Sequence, residues 1–122
     1  MKVFDLIHAG KFEVLNEGDN SEREISGPYC CDLLSVAMGR MPANSVWVTV
    51  MANINTLAVA TLADAACILL AEGSSLDGPA LAKAKEQGIT VMRTELPIFD
   101  ASLLIHDGLV RHESPSCVTQ NA

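Results

Sequence analysis

The stretch VWVTVMANINTLAVATLADAACILLAEG, residues 46–73, decides the fold. An apolar run at 46–51 stops at the polar set Asn53-Ile54-Asn55. An Ala- and Leu-rich segment follows, then a second apolar run at 65–71, closed by Glu72 and Gly73. Val46-Trp47-Val48-Thr49-Val50 is short, β-branched and aromatic, the composition of a strand covered on both faces. Residues 57–62 are apolar on most sides and predict a buried helix. Asn53 or Asn55 is its expected cap, because an Asn side chain accepts from the free N–H groups of a first turn. Residues 66–70 read as a strand again, and Gly73 permits the turn that follows. Strand, helix and strand at this length make a parallel βαβ unit with a right-handed crossover.

The same grammar extends outward. Asp77 with Pro79 predicts a helix start, and Gly88 predicts its end. Residues 89–92 read as a strand, 94–97 as a loop and 99–106 as the last helix, with Phe99, Leu103 and Leu104 on one side. On the other flank, residues 2–10 predict a short helix ended by Gly10, and residues 12–15 a strand. Residues 16–20 (NEGDN) are a polar turn. Residues 24–26 lead a second short strand into Gly27-Pro28, and Tyr29-Cys30-Cys31 extends it. Asp32 or a neighbour caps a helix running to about Gly39. The expected fold class is α/β: a single three-layer domain with a mainly parallel central sheet, over residues 1–112. Residues 113–122 are expected to be a flexible C-terminal tail.

Composition narrows the class. A chain of 122 residues fits one domain and buries a core without staples. Only 4% of residues are aromatic, so Val, Leu, Ile, Ala and Met must fill that core. The formal charge of −7, with eight scattered basic residues, argues against nucleic acid as a partner. No apolar run is long enough to span a membrane. The first residues, with Asp5 among them, do not read as a signal peptide, which makes the cytoplasm the expected location. The four cysteines form no CxxC pair and no disulfide framework, so reduced thiols are expected.

In an open parallel sheet, ligands bind outside the carboxyl ends of the strands, near helix N-termini. Here that edge carries Asn53 and Asn55, then Glu72, Gly73 and Ser74, then Thr94 and Glu95. These seven are the candidate ligand-binding residues. The Asn pair suits amide contacts to a ligand, but capping and loop hydrogen bonds are the simpler use. Glu72 and Glu95 suit a metal or acid–base pair only if they lie close together with one pKa raised; two solvated loop carboxylates are the simpler reading. Cys30 and Cys31, adjacent on a strand, point to opposite faces and chelate poorly. Cys67, inside an apolar strand, reads as a small hydrophobe. No metal, cofactor or catalytic set is expected. Trp47 reads as core, and Met38, Met41 and Met51 as gap-filling core.

The chain also resembles the DRTGG domains, over about residues 3–106. The likeness is closest over Cys31-Asp32-Leu33-Leu34-Ser35, residues 50–55, residues 62–68, Leu70-Ala71-Glu72-Gly73 and Gly88-Ile89-Thr90-Val91. Where that family carries Asp-Arg, this chain reads Ala52-Asn53-Ile54-Asn55; where it carries Thr-Gly-Gly, this chain reads Ala71-Glu72-Gly73. Other members sit beside CBS domains in regulated pyrophosphatases or ahead of the catalytic part of phosphate acetyltransferases. The resemblance implies a regulatory, often dimeric α/β module without chemistry of its own. A homodimer is expected mainly on that ground. The leading expectation is therefore a non-enzymatic domain that binds a small ligand, such as a nucleotide, or a protein partner. The rival is an enzyme or accessory subunit acting on a phosphorylated or nucleotide substrate with Mg²⁺.

Overall fold

The computed structural model describes residues 1–113. The elements run α1 (Val3–His8), β1 (Glu13–Asn16), β2 (Gly27–Cys30), α2 (Leu34–Arg40), β3 (Ser45–Thr49), α3 (Ile54–Leu62), β4 (Cys67–Leu70), α4 (Gly78–Gln87), β5 (Val91–Arg93) and α5 (Ile98–Glu113). The five strands form one sheet in the order β1-β5-β4-β3-β2. β2 to β5 are mutually parallel, and β1 pairs antiparallel with β5 through Glu13–Arg93 and Val14–Met92. The domain is three-layered α/β with a mainly parallel sheet, as the sequence predicts.

Consecutive parallel strands are neighbours, so α2, α3 and α4 cross on one face. Their Ala37, Leu57, Ala60, Ala80 and Ala84 pack with Trp47, Ile68, Leu70 and Val91 of the sheet. The opposite face holds α1 and α5, whose Val3, Leu6, Ala101 and Ile105 meet Val46, Val48, Cys67, Leu69 and Met92. Successive residues of β3 and β4 thus feed opposite layers, the period-two rule of a strand buried on both faces.

The local signals hold well in the second half. Asn53 caps α3: its Oδ1 accepts from the N–H groups of Asn55 (2.9 Å) and Thr56 (3.2 Å). Asp77 caps α4 through Ala80 N–H at 2.9 Å, and Gly88 ends it at φ 68°. Several expectations are corrected. The strand expected at 46–50 is Ser45–Thr49, and Met51 N–H turns back to Thr49 Oγ1 at 3.2 Å. The strand near Pro28 is Gly27–Cys30, and Glu24 forms only an isolated bridge with Lys2. Of Asp32 or a neighbour, it is the neighbour Leu33 that stands at the N-cap of α2, and it makes no side-chain bond there. Met38 is exposed rather than core, since α2 buries only Ala37. The last helix runs to Glu113, past the expected end at His106. It buries the stripe Ala101, Ser102, Ile105 and Leu109, leaving Phe99 and Leu103 outside. The tail expected at 113–122 otherwise lies outside the described residues.

Cys67 is fully buried in β4, and burial pushes its thiol from 9.0 up to about 12. Below pH 9 both folded and unfolded chains keep this proton, and it contributes no pH dependence. Between pH 9 and 12 the unfolded chain loses a proton that the folded chain retains, so stability falls as pH rises. At pH 10.5 this group is expected to cost about 2 kcal/mol relative to pH 8. Urea unfolding of the parent and of Cys67→Ala at both pH values checks it. The parent should lose about 2 kcal/mol more than the variant on going to pH 10.5; equal losses would contradict it.

Candidate functional site

The carboxyl ends of β2 to β5 lie along one edge of the sheet, and this edge holds all seven sequence-predicted residues. At the exit of β3 the loop is tightly laced. Asp32, just beyond β2, accepts from Thr49 Oγ1 at 2.6 Å and from Val50 N–H at 3.0 Å. Thr56 Oγ1 donates to Met51 O at 2.9 Å. Asn53 spends its carbonyl oxygen on the cap of α3, as the simpler reading has it. Asn55 is exposed, and its side chain makes no hydrogen bond among the described residues.

The exits of β4 and β5 diverge. β4 leads to α4 in one helical layer, and β5 leads to α5 in the opposite layer. Divergence of this kind opens the crevice in which open α/β sheets bind ligands. Here the two loops close on each other. Thr94 N–H donates to Leu70 O (2.8 Å), Gly73 N–H to Thr94 O (2.9 Å) and Glu72 N–H to Leu96 O (2.9 Å). Glu72 at φ 57° and Gly73 at φ 76° make the bend that allows this. For Glu72 the left-handed conformation costs on the order of 1 kcal/mol.

Arg93, the last residue of β5, fastens the corner. Its guanidinium donates to Gly73 O (2.9 Å) and Ser74 O (3.3 Å), and pairs with Glu13 (3.2 Å) and Glu95 (3.4 Å). The Glu95 carboxylate rests directly on the Cα of Gly73, where any Cβ would collide with it. Thr94 Oγ1 accepts from Leu96 N–H at 3.2 Å, and Ser74 N–H donates to Ala71 O at 3.1 Å. Gly73, Ser74, Thr94 and Glu95 are thus brought together around Arg93. The exposed side chain of Glu72 makes no hydrogen bond among the described residues. One cation amid Glu13, Glu72 and Glu95, on a chain of charge −7, makes a corner that repels a bare anion.

Two concavities among the described residues lie outside the cluster around Arg93, one at the opposite edge and one starting beside this edge at Leu96. A cleft of about 180 Å³ at the amino ends of β4 and β5 is lined by Asp19, Asn20, Arg23, Asp64 and Gly88 among others. It is a structural seam. Asn20 Nδ2 donates to Ala66 O (2.7 Å), Thr90 Oγ1 donates to Asn20 Oδ1 (2.9 Å), and Arg23 holds Asp64 Oδ1 (2.7 Å) and Ala65 O (3.0 Å). A shallow hollow of about 320 Å³ follows α5 past Leu96, Asp100, Leu103, Leu104 and Asp107.

Ser102 Oγ donates to Ile98 O (2.7 Å), so the proton in its 2.8 Å contact with Cys30 Sγ comes from the thiol. Among the described residues, no three His, Cys, Asp or Glu side chains gather into a metal-holding group.

A surface that sequence reasoning passed over lies on the α2–α3 layer. From residue 33 to residue 63 the chain has one charged residue, Arg40, although the whole chain has 23 (8 basic plus 15 acidic). α2 and α3 lie side by side, and that segment exposes Leu33, Val36, Met38, Ile54 and Leu62. By contrast, exposed positions of α4 include Lys85, Glu86 and Gln87. The signal was present in the sequence as a gap in the charge pattern between Asp32 and Asp64. No protein-family model matches the sequence, and no curated protein matches it.

Proposed function

We propose that this chain is a non-catalytic binding module that works through protein contacts, with the α2–α3 layer as its contact face. The observation that carries the reading is a helical face with Arg40 as its one charged residue, on an otherwise strongly acidic molecule. Charged residues are depleted from the cores of protein interfaces, and contiguous exposed apolar surface marks such sites. The closure of the carboxyl edge by backbone hydrogen bonds, and its excess of carboxylates, favour contact with protein over a nucleotide at that edge. The resemblance to DRTGG domains, with their regulatory and often dimeric roles, supports the same reading. The free thiols of Cys30, Cys31 and Cys67 suit a cytoplasmic setting. Among the described residues no helix is long and apolar enough to cross a membrane.

The test is a thermal-shift panel of nucleotides with and without Mg²⁺, run beside assays for hydrolysis of phosphate esters. No shift and no turnover are expected. A ligand present at 100 times its dissociation constant would add about 2.7 kcal/mol, a displacement of several degrees in a domain this small. Such a shift, abolished by Asn53→Ala with Glu95→Ala, would overturn the reading in favour of a ligand sensor at the carboxyl edge. Turnover lost in Glu72→Gln would overturn it in favour of an enzyme.

A further inference from the structure

Resting on the reading of the α2–α3 layer as a contact face, we infer that its occupant is a second copy of this chain, with α2 packed antiparallel to α2. Outside residues 33–63 the chain carries seven basic and fifteen acidic residues, a balance of −8. Two copies therefore repel each other through most orientations. The α2–α3 layer is the face on which they meet without opposing carboxylates.

The two charges that bound the uncharged run of α2 are self-complementary. Asp32 precedes the helix, Arg40 ends it, and both are exposed. Arg40 makes no ion pair among the described residues. A two-fold axis at Val36, the midpoint between them, sets the helices antiparallel. Asp32 of each copy then lies beside Arg40 of the other. The antiparallel setting also opposes the helix dipoles favourably.

The same register places Leu33 of each copy against Gly39 of the other. Leu33 is 58% exposed. Gly39 lies within the helix, and a Cβ built on it meets nothing outside its own helical turn within 4 Å among the described residues. Glycine inside a helix is less favourable than alanine by about 1 kcal/mol. Nothing in the packing of the described residues calls for it, whereas a leucine from an opposing helix does. α2 alone is too short for a stable interface of about 800 Å² per partner. The adjoining stripe of α3, Ile54, Ala58 and Leu62, supplies further uncharged surface. The free edge of β2 is a poorer route to pairing, because Pro28 has no N–H to offer an added strand.

Sedimentation equilibrium on the full chain tests this. The parent is expected to approach twice 13.0 kDa as its concentration rises. Val36→Glu, which sets two carboxylates at the axis, is expected to hold the mass at 13.0 kDa with an unchanged circular-dichroism spectrum. Arg40→Glu is expected to weaken the association by about tenfold or more, as a reversed charge pair does. Leu103→Glu, on the exposed side of α5, is expected to leave it unchanged. A parent that stays at 13.0 kDa overturns the second copy as occupant, while the contact-face reading is judged separately by the nucleotide panel. A doubled mass that survives Val36→Glu, or is lost in Leu103→Glu, overturns the pairing through α2.

Discussion

Trp47→Ala is expected to destabilise the domain by about 3–5 kcal/mol, the range for deleting a buried aromatic from a core. Trp47 is fully buried in β3 and packs in the layer under α2 and α3. The indole also makes a polar contact. Its Nε1–H donates to Cys31 O at 2.9 Å, tying the end of β2 to the middle of β3. Truncation therefore opens a cavity and leaves a carbonyl without its donor. Against a typical total of about 5–15 kcal/mol, this is a large share. Trp47→Phe keeps a six-membered ring but loses the N–H and the five-membered ring together, so a loss smaller than that of Trp47→Ala is expected, about 1 kcal/mol of it from the bond. Trp47 is the only tryptophan in the chain, so unfolding should be followed by far-ultraviolet circular dichroism in urea rather than by fluorescence. A loss below about 1 kcal/mol in Trp47→Ala would show that the layer over β3 closes without it.

The second large effect is expected at Asp32. Asp32→Ala should lower stability by about 2–3 kcal/mol, although the residue is exposed. Its carboxylate accepts from the hydroxyl of Thr49, which is fully buried, and from Val50 N–H. Bonds to a charged acceptor are worth about 1.5–3 kcal/mol, and stranding the hydroxyl of Thr49 adds a desolvation cost. The Val50 bond is exposed to solvent and contributes the smaller part. Asp32→Asn keeps an acceptor oxygen and should recover about half of the loss. Equal stability of parent and Asp32→Ala in urea at matched protein concentration would mean that water replaces the carboxylate at no cost.

Asp32 also shows what the sequence concealed. It stands just before a helix, where a carboxylate is an ordinary cap, and that local signal points to α2. Its true partners lie 17 and 18 residues away, on a strand that only the folded sheet brings alongside. Signals spent within a few residues were legible: Asn53 for α3, and Asp77, Pro79 and Gly88 for α4. The alternation of β3 and β4 between two layers was legible as near-continuous apolar runs. The place of β1 was not. Four residues of mixed polarity carry no mark of pairing with β5 rather than with β2. At the carboxyl edge, the polar residues were found but their arrangement was not, because Arg93 organises them. A lone cation ending an apolar strand was the available sign. The face of α5 was misjudged by choosing the largest side chains, Phe99 and Leu103. The smaller Ala101 and Ser102 are what let the helix lie close to the sheet.

The pairing of β1 with β5 bears on how the chain reaches this fold. Glu13 meets Arg93 across 80 residues, whereas β3, β4 and β5 each pair with the strand just before them. During synthesis at about 5–20 residues per second, β1 waits roughly 4–16 s for its mate. The parallel units have contacts to make in that interval, and β1 has none within the sheet. The edge that completes the sheet is thus the last that synthesis permits to close, and its loop-closure entropy is met only once β5 is in place.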